Sequence, residues 1–505
     1  MKNKMEENNV QKQKKEFFSG KIDRNLFLIC LTLASVGATA QNEGRLLSLE
    51  EAVEIATTEN PAIKASEYEA MAAKRQRQAA IGLRMPKINA VGTYVYMGDD
   101  IALDANSLKE PVGTAAGNLI STGVQTGIIS QQLAGLLQQT LGAMSGLDWT
   151  YKLQDRSFGF VGGEITMPIF LGGKINAANR AARIDESTVR EQGVQTRNAL
   201  ISELVERYYG LALAAQVVEV RRQVADGIRK HLNDAIALEE QGMLAKSERL
   251  YVEYMMTQAE RDLQNAELQL STIKDALNNT LASSEVDYVP ATSMFVVDNI
   301  EDVEYYKSLA SNHNPLLNQV SLKKELAEQG VRVQRSAYFP QIVAMGGGSV
   351  YNYQVTNMLP RWAVGVGVSF NIFDGLNREY KHAAAKQTVR QVEQLQTKAH
   401  EDISVLVEKL YNQMLNYYNQ FHSVEASIAF AEEYLKAKNA AFLEGWSSSS
   451  DLIDAELNLA KVRTERIQMA YSYDVALAKL LEAAGVSDEF TSYSRRIDAR
   501  QITFE

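Results

Sequence analysis

The sequence holds one cysteine, Cys30, inside the apolar run Leu26-Phe-Leu-Ile-Cys-Leu-Thr-Leu. Lys12, Lys14, Lys15, Lys21 and Arg24 precede that run, and Ala38-Thr39-Ala40 follows it. A basic region, a short apolar core and a small-residue site are the parts of a secretory signal, so residues 1–40 are expected to be removed. Ile29 is not the small residue that lipidation of Cys30 would want. The chain beyond Ala40 then has no thiol, which excludes disulfides, thiolate metal sites and cysteine nucleophiles. It also has no apolar stretch of 18 or more residues. Any membrane crossing must therefore use a closed β-barrel. Basic charge is scarce as well. Residues 1–40 carry seven Lys/Arg and four Asp/Glu within a net charge of −10, which leaves −13 on the remainder. Nucleic acid needs a basic footprint, so it is not an expected partner.

The usual signs of chemistry are missing too. His231, His313, His382, His400 and His422 form no i,i+4 pair and no HExxH motif, so no zinc site is expected. Gly346-Gly-Gly348 lacks the Lys-Ser/Thr that completes a phosphate loop, and there is no nucleophile elbow. Neither a catalytic residue nor a cofactor is expected.

Proline is rare, with eight in 505 residues, none between Pro168 and Pro290 and none after Pro360. An interior proline costs a helix about 3 kcal/mol, so these clean intervals favour very long helices. What the chain does contain is a duplication. Asn60-Pro61 precedes Pro86 by 25 residues, and Asn314-Pro315 precedes Pro340 by the same distance. At an offset of 203, Ile169-Phe170 matches Ile372-Phe373, Gly172 matches Gly375, Gly242 matches Gly445 and Glu253 matches Glu456. Order and period persist over most of the chain, so two structural repeats are expected, 41–282 and 313–485, joined by a connector at 283–312.

Each repeat reads as the same series. A helix of about 25 residues starts at Pro61 or Pro315, proline being favoured at the first position, and Pro86 or Pro340 ends it. Two strands follow. In 361–372, Trp362, Val364, Val366, Val368, Phe370 and Ile372 alternate with Ala363, Gly365, Gly367, Ser369 and Asn371, the period-2 pattern of a membrane barrel strand. Its partner is expected over 341–354. The counterpart at 158–169 is less regular, since Phe158 and Phe160 fall on the opposite face from Val161, Ile165 and Ile169. A soluble sandwich strand would look similar.

A long helix then runs over 376–444, without proline or glycine between Gly375 and Gly445. Ile403, Val407, Leu410, Met414, Tyr417, Phe421, Val424, Ile428, Ala431 and Leu435 recur at steps of four and three, a heptad seam. About 70 residues at 1.5 Å rise give roughly 100 Å of helix. A return helix is expected over 450–484, and the first repeat gives the equivalents 174–241 and 247–282. Residues 99–156, rich in Gly, Gln, Thr and Ser, join two strands and are expected to form a large loop at one barrel mouth. Residues 486–505, with the connector, are expected to form a mixed belt around the helices.

This order, given twice, resembles the TolC family of outer-membrane factors. Leu47-Ser-Leu-Glu-Glu-Ala-Val53 with Asn60-Pro61 is similar to the family's N-terminal opening, Ile372-Phe-Asp-Gly375 to its strand-to-helix turn, and Gly445-Trp446 with Asp451-Leu-Ile-Asp-Ala-Glu456 to its periplasmic tip. The first repeat departs from the pattern, with Phe170-Leu-Gly-Gly173 and Gly242-Met243 in the matching places. The resemblance implies an α+β membrane protein. It would be a homotrimer whose protomers each give four strands to a 12-stranded β-barrel, continued by a periplasmic α-helical coiled-coil barrel. It further implies a Gram-negative outer-membrane exit duct for efflux or type I secretion, not an enzyme. Its partners would be outer-membrane lipid, a periplasmic adaptor (membrane fusion) protein and an inner-membrane pump of RND or ABC type. A diffusion porin and a structural trimeric coiled-coil stalk are the alternatives.

The site residues that follow are the strand–helix junctions Pro86, Pro340, Gly172 and Gly375, and the helix-tip turns Gly242 and Gly445 with Met243 and Trp446 for adaptor contact. Family resemblance maps a periplasmic gate onto Asp451 and Asp454, with Glu248 as the first-repeat equivalent. The same carboxylates, in the first turn of a helix behind Ser448 or Ser450, can equally serve as caps.

Overall fold

The computed structural model describes residues 44–284, 286–356 and 360–502. The expected signal segment, its cleavage site and Cys30 lie outside the described residues. The first repeat contains β1 (Arg45–Leu47), α1 (Leu49–Glu59), α2 (Pro61–Ile81), β2 (Lys87–Tyr96), β3 (Ile101–Asp104), α3 (Lys109–Gln125), α4 (Gln131–Ser145), β4 (Thr150–Gln154), β5 (Ser157–Leu171), α5 (Lys174–Glu240) and α6 (Lys246–Thr280). After it come β6 (Tyr288–Pro290), β7 (Phe295–Val297), α7 (Val303–His313), α8 (Pro315–Ser336), β8 (Gln341–Tyr353), β9 (Trp362–Ser369), α9 (Asn377–Leu443), α10 (Ser449–Ala484), α11 (Phe490–Tyr493) and β10 (Ala499–Gln501).

Strands from both repeats build one antiparallel sheet in the order β2-β5-β8-β9. Within the protomer it is open, since β2 and β9 each have a partner on one side only. From one end of the sheet run the helices. The two longest, α5 and α9, have 67 residues each, about 100 Å of rise. Each packs against its own return helix, α6 or α10, and α10 also packs on α5, joining the repeats. The seam of α9 explains the packing: Val407, Met414 and Phe421 are fully buried, and Ile403, Val424 and Ala431 nearly so. No described helix is long and apolar enough to cross a membrane.

The repeats are fastened to the body in the same way. Asn60 caps α2 through Oδ1, which accepts from Ala62 N at 2.8 Å, while its Nδ2 donates to Thr280 O at 2.9 Å. Asn314 caps α8 by accepting from Leu316 N at 2.9 Å, and donates to Ala483 O at 2.7 Å. In both cases one amide joins the start of the short helix to the end of the return helix. A belt surrounds this level, with β1 pairing β6 and β7 pairing β10. Tyr208 and Tyr473 hold it: Tyr208 Oη donates to Leu47 O at 2.6 Å, and Tyr473 Oη accepts from Val297 N at 3.3 Å.

Two expectations need correcting. The helix from Pro61, expected to run about 25 residues until Pro86 ends it, leaves α geometry at Ile81 and finishes as a 3-10 turn over Gly82–Arg84. Residues 99–156 are not an irregular loop. They form the β3–β4 ribbon carrying the helical hairpin α3–α4, with Ile120 and Ala134 buried between the two helices and Ser130 capping α4. Small residues dominate the segment and hide its helical period.

Candidate functional site

Directly opposed residues in an antiparallel sheet share a face. Val364, Val366 and Val368 of β9 oppose Gly346, Ala344 and Ile342 of β8. Gly346 and Ala344 in turn oppose Ile165 and Met167 of β5, and Ile165 opposes Ile88 of β2. This face is apolar, exposed on β2, β5 and β9 and half-buried on β8. Tyr94, Tyr96, Tyr351, Tyr353 and Trp362 lie exposed toward its end near the β8–β9 turn, and Phe170, Phe339, Phe370 and Phe373 at the other. Eight residues separate Trp362 from Phe370, about 26 Å of extended chain, which is the scale of the apolar band on a membrane barrel.

The opposite face is mixed. It carries Lys87, Asn89, Thr93, Glu164, Thr166, Gly347, Ser349 and Gly365 beside Val91, Val343 and the exposed Met345, and Asn89 Nδ2 donates to Glu164 Oε1 at 2.9 Å. Phe158 and Phe160 share it, and Val355, Pro360 and Arg361 lie over it. Val355, Pro360 and Arg361 there enclose a cavity of about 320 Å3 with Phe160, Glu164 and Asn352.

At the lower edge the strands hand over to the long helices. Gly172 and Gly173 have φ of 61° and 88°, and Gly375 and Leu376 have 71° and 64°. A Cβ on Gly172 would collide with the Ser336 carbonyl, so that junction is tight as well as left-handed. Pro86 and Pro340 stand just before β2 and β8, where the approaching helices have ended.

The far ends of the long helices close as two identical turns. Met243 N donates to Leu238 O and Gly242 N to Glu239 O, both at 2.8 Å. Trp446 N donates to Ala441 O at 2.8 Å and Gly445 N to Phe442 O at 3.0 Å. This is the Schellman arrangement, and it needs φ > 0 at the glycine, here 71° and 78°. The next residue projects outward in each, Met243 at 72% exposure and Trp446 at 83%.

The three carboxylates behind these turns differ from one another. Asp451 lies behind the cap, with Ser448 Oγ accepting its N–H at 3.2 Å. Its Oδ2 accepts from Ser447 Oγ at 3.1 Å and pairs with Lys438 Nζ of α9 at 3.3 Å. Ser447 and Lys438 hold its carboxyl below the usual range. Asp454 is exposed and makes no hydrogen bond or ion pair among the described residues. Glu248 is half-buried in the first turn of α6, whose N-cap, Ala245, has no side chain able to cap. In the first repeat the cross-hairpin pair is Arg249–Glu239 at 2.6 Å, and Arg249 also binds Glu253 at 2.7 Å.

Sequence reasoning missed Lys438 and Arg249. For Lys438 the signal was available, since it and Asp451 lie at nearly equal distances from Gly445 on opposite arms; Arg249 and Glu239 are not so placed about Gly242. It also missed the cavity of about 510 Å3 between α5, α9 and α10, lined by Gly227, Lys230, His231, Glu432, Phe442 and Glu456. Glu456 is the repeat counterpart of Glu253, but Leu452 stands where Arg249 would serve it. Its Oε2 is buried without a partner, and burial pushes its carboxyl up to about 7 against the pull of Lys230. His231 packs edge-on against Phe442 at 4.5 Å, and burial lowers its imidazole below the ordinary range.

This fold, two repeats sharing one sheet above long helix hairpins, is that of TolC-type outer-membrane channels. Residues 307–486 match the model of the family described as outer membrane efflux protein. The chain is 23% identical over 309 residues to the alkaline protease secretion protein AprF of Pseudomonas aeruginosa, covering 57% of this chain and 62% of that protein. Among solved structures it resembles a membrane protein from Pseudomonas aeruginosa, with TM-score 0.68, 16% identity and coverage of 86% and 90% of the two chains. It also resembles the CmeC outer membrane channel of Campylobacter jejuni, with TM-score 0.65, 14% identity and coverage of 88% and 89%. Residues 307–486 thus carry an outer membrane efflux protein domain, and the chain as a whole shares the fold of TolC-type channels.

Proposed function

We propose that this chain is one protomer of a trimeric outer-membrane duct, a passive exit for cargo delivered by an inner-membrane pump through a periplasmic adaptor. The observation that carries the reading is the four-stranded sheet. Its exposed apolar face lies between two aromatic bands, its other face holds the sheet's Lys87, Asn89, Thr93, Glu164 and Thr166, and its edges have no described partner. An apolar face suits lipid, a polar face suits an aqueous lumen, and unpaired edges are satisfied by barrel closure. Three copies supply the twelve strands of such a barrel. The helices below it, about 100 Å long, suit a periplasm-crossing tube. The AprF relative is named for protein secretion and the family for efflux. Purification from outer-membrane fractions should give a trimer by native mass spectrometry and ion-conducting channels in planar bilayers. A stable monomer, or recovery in the inner membrane, would overturn the proposal.

A further inference from the structure

The α3–α4 hairpin has no counterpart in the second repeat and, among the described residues, no other element packs over it. Between Glu110 and Asp148 there is no charged residue. Leu119, Ile128 and Leu136 are among the large apolar side chains that the hairpin exposes. Gly113, Gly117, Gly135 and Gly142 all lie within its helices, yet a Cβ at any of them would meet nothing within 4 Å. Each helical glycine costs about 1 kcal/mol relative to alanine. Inside one protomer no crowding accounts for them, whereas a helix approaching from another chain would.

The root of the hairpin indicates where that neighbour lies. Gln154, at the end of β4, donates from Nε2 to Gln354 O at 2.6 Å, and its Oε1 accepts from Thr356 N at 2.8 Å. Ser157 Oγ donates to Gln354 Oε1 at 2.8 Å. The ribbon is thus tied to Gln354 and Thr356, and their neighbours Val355, Pro360 and Arg361 lie over the face of Glu164 and Ser349, not over the lipid-facing one. An outward lean onto anionic lipid headgroups would call for Lys or Arg, and residues 111–147 have neither.

We infer that the α3–α4 hairpins of three copies lean over the outer mouth of the barrel and pack together as an uncharged plug. The partner is a second and third copy of this chain, so the inference rests on the trimeric duct proposed above.

The chain beyond Ala40 has no cysteine, so Leu119→Cys and Leu136→Cys can be oxidised with copper phenanthroline in intact outer membranes. Inter-protomer dimers are expected at one or both positions. Adding Gly117→Val should lower the yield several-fold without dissolving the trimer. A second variant replaces residues 107–147 by two glycines, since Asn106 Nδ2 and Asp148 Oδ1 already meet at 2.8 Å across the base. It should conduct at least twofold more than the parent. A trimer without crosslinks, with unchanged conductance after excision, would overturn the plug alone. So would labelling of both cysteines by a membrane-partitioning maleimide. A monomer by native mass spectrometry would overturn both the plug and the duct.

Discussion

Lys438 of α9 and Asp451 of α10 are bound to each other across the Gly445 turn, Nζ to Oδ2 at 3.3 Å. Asp451 is therefore a neutralised member of a hairpin clasp, while Asp454, one turn on, carries an exposed charge without a partner among the described residues. If threefold assembly brings these tips together, selectivity should follow the free carboxylate. Asp454→Ala is expected to weaken cation preference and divalent block in planar bilayers. Asp451→Ala and Lys438→Ala are expected instead to raise open probability, with selectivity nearly unchanged. The reverse pattern would return the gate to Asp451. Ser448→Ala, which removes only the cap, should destabilise by about 1 kcal/mol and leave selectivity alone.

Asn314 is buried, and its one amide satisfies both the start of α8 and the end of α10. Asn314→Ala loses the cap and strands the Ala483 carbonyl, so about 2–3 kcal/mol of stability should go. Asn60→Ala should cost a similar amount, because Thr280 O depends on it in the same way. Thermal unfolding in detergent measures both. Asn314→Asp should recover the cap but not the donation, and fall between.

Met243 and Trp446 lie at the outermost points of the two hairpin turns and are exposed. Cysteines at residues 243 and 446 are expected to crosslink to a periplasmic adaptor co-expressed with the chain. Crosslinking at Thr150, in the ribbon beyond the opposite end of the sheet, would invert the topology.

Helix, tip and junction were legible wherever side-chain spacing and backbone need coincide. The Val407–Met414–Phe421 stripe is buried because a heptad seam has no other use, and Gly242 and Gly445 occupy φ values that other residues avoid. The α3–α4 hairpin was not legible, since glycine, threonine and glutamine spell a loop until another helix is there to pack against. The environment of Glu456 was equally hidden. It matches Glu253 in the repeat, but its surroundings depend on Leu452 replacing an arginine and on Gly227 of a different repeat.

Glu456 gives the pH prediction. Its Oε1 is 3.2 Å from where a Cβ on Gly227 would sit, so a carboxyl from the second repeat fills space left by a glycine of the first. Lys230, His231 and Asp234 face it from α5, and Glu432 and Lys436 from α9. Unfolded, this carboxyl ionises near 4.5; folded, burial delays ionisation to about 7. The folded state thus holds the extra proton between those values, and stability falls as pH rises through that window. It is highest below about pH 4.5 on account of this group and reaches its lower level above pH 7. Asp474, fully buried and also pushed up by burial, acts in the same direction and must be held constant. Glu456→Gln removes the ionisation while keeping the shape. It should stabilise the protein by about 2 kcal/mol at pH 8 and by little at pH 4.5, flattening the profile between. Gly227→Ala should crowd the carboxyl and destabilise at both ends. Unfolding midpoints of the parent and Glu456→Gln across this range decide the matter: parallel curves would mean that Glu456 is solvated and ionises normally in the fold.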